Sequence, residues 1–156
     1  MPNANGELVK RIDMFIHFAE LAATNHITVK YTLDEPSQGA YRADPRTKTI
    51  VTRPIRNTGF YVSALHEIGH IVGPDQGQRR NGVSLLKSEW GAWRWAKENA
   101  ITWTDTAERV MKRALGGYTR GASGTTLEAM PADFWDWVDV ANPIPVDNRE
   151  EGASEV

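Results

Sequence analysis

One short stretch of the sequence has residue types and spacing typical of a metal centre: His66-Glu67-Ile68-Gly69-His70. It lies in an apolar, helical pattern, and helix positions four apart share one face. His66 and His70 therefore project two imidazoles in the same direction, which suits two nitrogen ligands of one tetrahedral Zn²⁺. Glu67 lies about 100° further around the helix axis. We expect it beside the metal, where a carboxylate can act as the general base of a metalloprotease.

A catalytic zinc site has three protein ligands and one open position, so the motif needs one more donor. The chain has no Cys and no His after His70, which leaves carboxylates. We predict Glu89 as the third ligand, because 19 residues leave room for a helix end, a turn and the start of a second helix. Gly91 and Ala92 follow it, and small side chains allow two helices to approach closely. The alternative third ligands are Asp75 and Glu98.

The patterns around the motif predict the elements that position it. Residues 6–24 predict an amphipathic helix, because apolar residues recur at spacings of three and four. Three segments rich in β-branched residues then predict a small antiparallel meander. We therefore predict an α+β fold with an N-terminal helix, a sheet of about three strands and a helical part that carries the zinc site. The apolar stripe of the first helix is Leu8, Ile12, Phe15, Ala19 and Ala22, and the strands are 27–33, 40–43 and 48–52.

The helical part divides at residues that cap or break helices. Asn57 or Thr58 can cap the motif helix, and Gly73-Pro74 ends it. Later helices are predicted over 84–100, from Thr104 or Asp105 to Gly116-Gly117, and from Pro131 onward, with a linker over 121–126. Tyr118 follows the predicted break at Gly116-Gly117. It is a candidate donor to an oxyanion, and the alternative is that it packs in a turn.

Composition limits the classes of function. A chain of 156 residues with a net charge of −2 predicts one domain and argues against direct binding of nucleic acid. Charged residues interrupt the N-terminal segment, and no apolar run approaches the roughly 18 residues of a membrane span. We therefore expect a cytoplasmic protein with a single domain over 1–142 and a disordered acidic tail over 143–156. Its oligomeric state is not predicted.

Beyond these patterns, the chain resembles the ImmA/IrrE family of zincin-like metallopeptidases over residues 27–100. The family's F-T-L-A-H-E-x-G-H helix reads here Val62-Ser-Ala-Leu-His-Glu-Ile-Gly-His70, and its E-x-x-A-x-x-F-A helix reads Glu89-Trp-Gly-Ala-Trp-Arg-Trp-Ala96. The resemblance implies a minimal zincin-like domain in which His66, His70 and Glu89 bind Zn²⁺ and Glu67 is the catalytic base.

The resemblance also implies a kind of substrate. Family members are typically bacterial or carried by phages and mobile elements, and some cleave helix-turn-helix repressors. The expected partner is therefore a protein or peptide substrate, for example a transcriptional repressor. The sequence departs from the family at Val62, which replaces a Phe, and at Trp93, where Asn is frequent. We also expect no helix-turn-helix segment before the domain, although many family members have one.

Two other interpretations remain open at this point. The chain could be a zinc-binding domain that acts by binding a partner protein with little or no catalysis. It could also be a metal-free interaction module in which the motif is accidental. His17 and His26 have no motif around them, and we interpret both as structural or solvated residues. Three Trp residues within 90–95 favour core packing over a stacking platform.

Overall fold

The computed structural model describes residues 10–32, 41–77 and 81–139, which form a mixed α+β fold. A helix and a three-stranded sheet come first and helices follow, which confirms the predicted fold class. The predicted tail over 143–156 and Leu8 of the predicted apolar stripe lie outside the described residues. The helices are α1 (Arg11–Thr24), α2 (Thr58–Val72), α3 (Gly82–Asn99), α4 (Asp105–Arg120), α5 (Gly124–Glu128) and a 3₁₀ helix (Ala132–Trp137), and the strands are β1 (Thr28–Tyr31), β2 (Arg42–Asp44) and β3 (Thr49–Thr52).

The sheet is mixed, which corrects the predicted antiparallel meander. The strand order is β1-β3-β2, so that β3 lies in the centre. β2 and β3 form the expected antiparallel hairpin, but β1 pairs in parallel with β3, with Thr28 beside Thr49. Three of the four residues of β3 are buried, whereas β1 is largely exposed. A central strand is covered by a neighbour on each edge, so the most apolar strand, β3, takes the central position. The short alternating patterns of the three strands do not reveal the strand order.

α1 faces the core with a stripe that shares only Ala22 with the predicted one. Its buried residues are Met14, Phe18 and Ala22, whereas Ile12 and Phe15 are 56% and 40% exposed. The helix carries apolar residues on more than one side, so its packing against α2 and β1 selects the buried face. The exposed side opens onto a groove of about 470 Å³ lined by Arg11, Ile12, Phe15, Tyr31, Pro54 and Ile55.

α2 is the central helix, and it packs against α1, α3, α4, β2 and β3. Asn57 caps its start by accepting a hydrogen bond from the Phe60 N–H at 2.9 Å. Gly73 follows its end and donates its N–H to the Gly69 carbonyl at 2.8 Å. Both ends confirm the prediction. Ten of the 15 residues of α2 are buried, so its polar side chains must find partners inside the protein.

α3 approaches α2 and the turn that follows it so closely that side chains are excluded at two positions. A Cβ added to Gly69 would lie 2.4 Å from the Ala92 carbonyl oxygen. A Cβ added to Gly91 would lie 2.0 Å from the Pro74 carbonyl oxygen. Both distances are far below van der Waals contact. The small residues therefore permit a backbone contact between the two helices, as the sequence predicted for this pair.

The helices after α3 differ from the prediction. α4 continues through Gly116 and Gly117 to Arg120. Both glycines are buried in the helix, so tertiary packing overrides their low helix propensity. The predicted linker over 121–126 contains the start of α5, and Ser123 caps that helix by accepting from the Thr126 N–H at 3.2 Å.

The last described helix docks through aromatic residues, the buried Phe134 and the half-buried Trp137. Pro131 precedes the 3₁₀ helix, in which Phe134 is fully buried and Trp135 is 38% exposed. The prediction of a docked helix after Pro131 is thus confirmed for Phe134, and Trp135 lies toward solvent. No helix in the described part of the chain is long and apolar enough to cross a bilayer.

The contact at Gly69 reverses the usual effect of alanine in a helix. Alanine normally stabilises a helix interior by about 1 kcal/mol relative to glycine. Because the added methyl group would meet the Ala92 backbone, we expect Gly69→Ala to lower the free energy of unfolding by about 1–3 kcal/mol. Chemical denaturation of the metal-free protein measures this change.

Gly124→Ala is the matched control, because a Cβ there meets nothing within 4 Å. Its free energy of unfolding should stay within about 0.5 kcal/mol of the wild type or rise. Equal stability of Gly69→Ala and Gly124→Ala would contradict the backbone contact between α2 and α3.

Candidate metal centre

The spacing of the motif places two imidazoles on one face of α2. His66 and His70 lie one turn apart, and their ring centroids are 4.5 Å apart. They are only 5% and 3% exposed. Imidazoles this deeply buried need defined partners for both ring nitrogens.

α3 brings the third donor to the same point. Oε1 of Glu89 lies 3.1 Å from Nε2 of His66, and Oε2 of Glu89 lies 3.1 Å from Nε2 of His70. The three side chains are all buried, and one possible ligand atom from each lies within 4.8 Å of the others. The structure thus brings together the three ligands predicted from the sequence. Among the described residues this is the group that could hold a metal ion.

Two of the distances between donors are close to those around a small divalent ion. With bonds of about 2.0–2.1 Å, neighbouring ligand atoms of a tetrahedral zinc site lie about 3.3 Å apart. The two contacts from Glu89 to the imidazole nitrogens are both 3.1 Å. Two nitrogens and a carboxylate are also a donor set that zinc, iron and manganese accept.

The proton count at the imidazoles supports the same conclusion. His66 faces Glu67 Oε2 through Nδ1 and Glu89 Oε1 through Nε2, each at 3.1 Å. His70 faces Gln76 Oε1 through Nδ1 and Glu89 Oε2 through Nε2, again at 3.1 Å. A neutral imidazole has only one N–H, so it cannot donate at both nitrogens. A cation between Glu89 and the two Nε2 atoms would accept both lone pairs and remove this conflict.

Glu67 lies beside the ligand group and is not a member of it. Its side chain is fully buried, and Oε2 lies 3.1 Å from Nδ1 of His66. This is the position that helix geometry predicted for the carboxylate next to the first ligand. An ionised Glu67 in this position can only accept, so it would take the Nδ1 proton of His66, an arrangement that orients a metal-binding imidazole.

The other candidate residues lie elsewhere. Asp75 accepts a hydrogen bond from Nη2 of Arg94 at 2.8 Å, so it is engaged in an ion pair at the surface. Neither Asp75 nor Glu98 belongs to the ligand group. Tyr118 lies inside α4, in the hydrophobic core, because that helix does not break at the glycines before it.

The two remaining histidines are outside the ligand group. His26 follows α1 with a φ of 58°. Nδ1 of His17 lies 2.7 Å from the hydroxyl of Tyr61, which also accepts the backbone N–H of Ile101 at 3.0 Å. This hydrogen bond between His17 and Tyr61 joins α1 to α2.

Sequence reasoning missed two residues that contact the ligands. Trp93 stacks on His66, with ring centroids 4.3 Å apart and an interplanar angle of 19°. It is 2% exposed, so the preference for core packing is confirmed, but it packs on a proposed ligand. Gln76 contacts His70 from the turn after α2. Trp93 follows Glu89 by one helical turn, so the sequence could have placed it on the same face of the helix, near the ligands. A single Gln in a polar loop gives none.

Comparisons with protein-family models, curated proteins and solved structures find no match to this chain. The ligand group and its surroundings are therefore the basis for any functional conclusion. The resemblance to the ImmA/IrrE family stays a prediction that depends on the motif residues.

Metal content tests the ligand group directly. We expect about one divalent ion per purified chain by inductively coupled plasma mass spectrometry. His66→Ala and Glu89→Ala each remove one of the three proposed ligands, so the affinity for the ion should fall by on the order of 100-fold or more. This loss exceeds the one expected when a residue that only hydrogen-bonds to a ligand is removed. Glu98→Ala is the control and should keep the ion. Metal that survives Glu89→Ala would exclude Glu89 as the third ligand.

The bond between His17 and Tyr61 predicts a pH dependence of stability. Burial lowers the pKa of His17, against the opposing effect of Glu20. Burial also raises the pKa of Tyr61 to about 12, so its hydroxyl stays protonated. Below the unfolded pKa of about 6.5, the unfolded chain binds more protons at His17 than the folded chain. This contribution to stability is therefore present above pH 6.5 and is lost as the pH falls toward the lower folded pKa.

Denaturation of wild type and His17→Asn between pH 7.5 and 5 measures the effect. The wild type should lose more stability across this range than the variant, because only the wild type carries the half-buried imidazole at position 17. Parallel curves for the two proteins would contradict the prediction.

Proposed function

We propose that the chain is a zinc-dependent endopeptidase of the minimal zincin type. The observation that carries this proposal is the buried group of His66, His70 and Glu89, with Glu67 beside it. Two imidazoles, one carboxylate and an adjacent second carboxylate are the parts that metal-assisted hydrolysis requires.

Zinc is the proposed ion because the ligands come from a helical H-E-x-x-H pattern and a later carboxylate. Two His and one carboxylate also suit iron and manganese. Competition among these ions for the purified protein separates the possibilities, and zinc should bind most tightly of the three.

The residues of the site divide the chemistry between them. Bound zinc would supply a Lewis acid that acidifies water and polarises a peptide carbonyl. His66, His70 and Glu89 would hold the ion. Glu67 would take the proton of the attacking water and deliver it to the leaving amine nitrogen. Tyr118 remains the proposed donor to the oxyanion, and it is buried in α4 as part of the hydrophobic core.

The proposed substrate is a protein, for example a transcriptional repressor, in the cytoplasm. The support is the resemblance of residues 62–70 and 89–96 to the ImmA/IrrE motifs, in which the ligands and the base are present. The net charge of −2 argues against nucleic acid as a direct partner. Nothing in the site itself specifies a cleavage sequence.

A second candidate function is a metal-binding interaction domain with little or no catalysis. The observation that favours it is the depth of the site, since Glu67 and Glu89 are fully buried. Glu67 is also engaged with Nδ1 of His66, which is the role of a carboxylate that orients a ligand. On this alternative Glu67 supports metal binding and has no catalytic function.

Glu67→Gln distinguishes the two functions. If Glu67 is the general base, the variant keeps its zinc and loses hydrolysis by about 10²–10⁴-fold. The substrate is a peptide library prepared from a whole-cell protein digest, and mass spectrometry detects new termini. Glu98→Gln, a carboxylate outside the ligand group, is the matched control and should cleave like the wild type.

Other outcomes have clear meanings. Zinc-loaded wild type that produces no new termini, in either the library or intact proteins, would favour the interaction domain. Full hydrolysis by Glu67→Gln would remove Glu67 from the mechanism. Loss of zinc in Glu67→Gln would show that this carboxylate serves the metal site.

A further inference from the structure

The side chain of Gln76 is held by four hydrogen bonds between the two helices of the metal centre. It lies half-buried in the turn between α2 and α3. Its Nε2 donates to the carbonyl oxygens of Pro74 at 3.0 Å and Ser88 at 2.7 Å. Its Oε1 accepts from Oγ of Ser88 at 2.8 Å and lies 3.1 Å from Nδ1 of His70. Every donor and both acceptor positions of the amide are therefore used.

The two carbonyl groups determine which way the Gln76 amide points. A carbonyl oxygen can only accept, so the NH₂ group must face Pro74 and Ser88. Rotating the amide by 180° would place its oxygen against those two carbonyl oxygens and lose both bonds. Oε1 must therefore face His70, and the assignment follows from the backbone without reference to the imidazole.

The orientation of Gln76 in turn determines the tautomer of His70. Because Oε1 can only accept, Nδ1 of His70 must carry the proton of this hydrogen bond. In the neutral imidazole the lone pair then lies on Nε2, the atom that faces Glu89. We infer that Gln76 is a positioning residue, which sets the tautomer and ring orientation of His70 for metal binding. The inference depends on the metal site of the proposed function.

The same network links His70 to the helix that carries the third ligand. Ser88 immediately precedes Glu89, and it is fully buried. Both its carbonyl oxygen and its hydroxyl bond to Gln76. Gln76 thus joins the His70 ring on α2 to the backbone beside Glu89 on α3. A change in the distance between the helices would strain this bridge and the ligand group together.

The turn after α2 has the backbone geometry needed to return Gln76 beneath His70. Asp75 and Gly77 on either side of it have φ values of 62° and 93°. These left-handed conformations reverse the chain within a few residues. Asp75 is also paired with Arg94 of α3, which fixes the turn independently of the metal ligands.

Three variants test the inference. Gln76→Met keeps the length of the side chain and removes the acceptor, so zinc affinity should fall by about 10- to 100-fold. Gln76→Glu keeps an acceptor for Nδ1 of His70 but loses the two bonds that Nε2 donates to the Pro74 and Ser88 carbonyl oxygens, so it should recover only part of the affinity that Gln76→Met loses. Asp75→Asn is the matched control, because it breaks an exposed ion pair in the same turn and should change affinity by no more than about threefold. Competition with a chromophoric chelator measures zinc affinity.

A second readout reports on the hydrogen bond itself. The chain has four His, so their ring protons can be resolved in a long-range ¹H–¹⁵N correlation spectrum. In the zinc-loaded wild type, Nδ1–H of His70 should be protected from solvent exchange by Gln76. In zinc-loaded Gln76→Met that protection should be lost. A residue that merely stabilised the turn would lower the melting temperature and leave both zinc affinity and this proton unchanged.

The outcomes separate this inference from the proposed function. Gln76→Met with wild-type zinc affinity and a protected Nδ1–H would overturn the role of Gln76 and leave the metal site intact. Equal losses in Gln76→Met, Gln76→Glu and Asp75→Asn would also overturn it, since any disturbance of the turn would then suffice. Wild-type protein that binds no divalent ion would overturn both. Loss in Gln76→Met, partial recovery in Gln76→Glu and no effect of Asp75→Asn would establish it.

Discussion

The contact between α2 and α3 at Gly69 and Ala92 is the constraint on which the metal centre depends. A Cβ on Gly69 would lie 2.4 Å from the Ala92 carbonyl oxygen, so the two backbones touch where most helices interpose side chains. Glu89 lies one turn before Ala92, and this approach brings its carboxylate within 3.1 Å of both imidazoles. A wider separation of the two helices would carry the third ligand away from the other two.

Burying this many polar groups destabilises the folded protein unless every group has a hydrogen-bond or ionic partner. Glu67 and Glu89 are fully buried, and both imidazoles are nearly so. Each imidazole nitrogen faces an oxygen acceptor at 3.1 Å. A cation at the centre of the group neutralises carboxylate charge and accepts imidazole lone pairs, so metal binding and stability are expected to be coupled.

The rotation of α3 is fixed by contacts at a distance from the metal ligands. Arg94 lies 4.1 Å above the ring of Trp90, and Trp90 packs edge-on against Phe134 of the 3₁₀ helix. Lys97 pairs with Glu108 of α4 at 3.0 Å and lies over the ring of Trp137. These contacts tie α3 to the C-terminal helices, so helices that contribute no ligand still hold Glu89 in place.

The sequence by itself indicated the three residues that the structure brings together as a candidate metal group. Helical periodicity sets the direction of His66 and His70, and the absence of Cys leaves Glu89 as the best-spaced third donor. It also determined the ends of α2 and the α+β order, because capping residues and residue patterns act over a few neighbouring positions.

Tertiary structure alone decided the features that depend on packing between distant segments. α1 buries Met14 and Phe18 in place of the predicted Ile12 and Phe15, because its neighbours select one of two apolar faces. β1 joins the open edge of β3 in parallel, and α4 runs through two buried glycines. The bond from Gln76 to His70 arises only when the turn after α2 folds back between the helices. A lone amide in a polar loop has no local pattern that could reveal it.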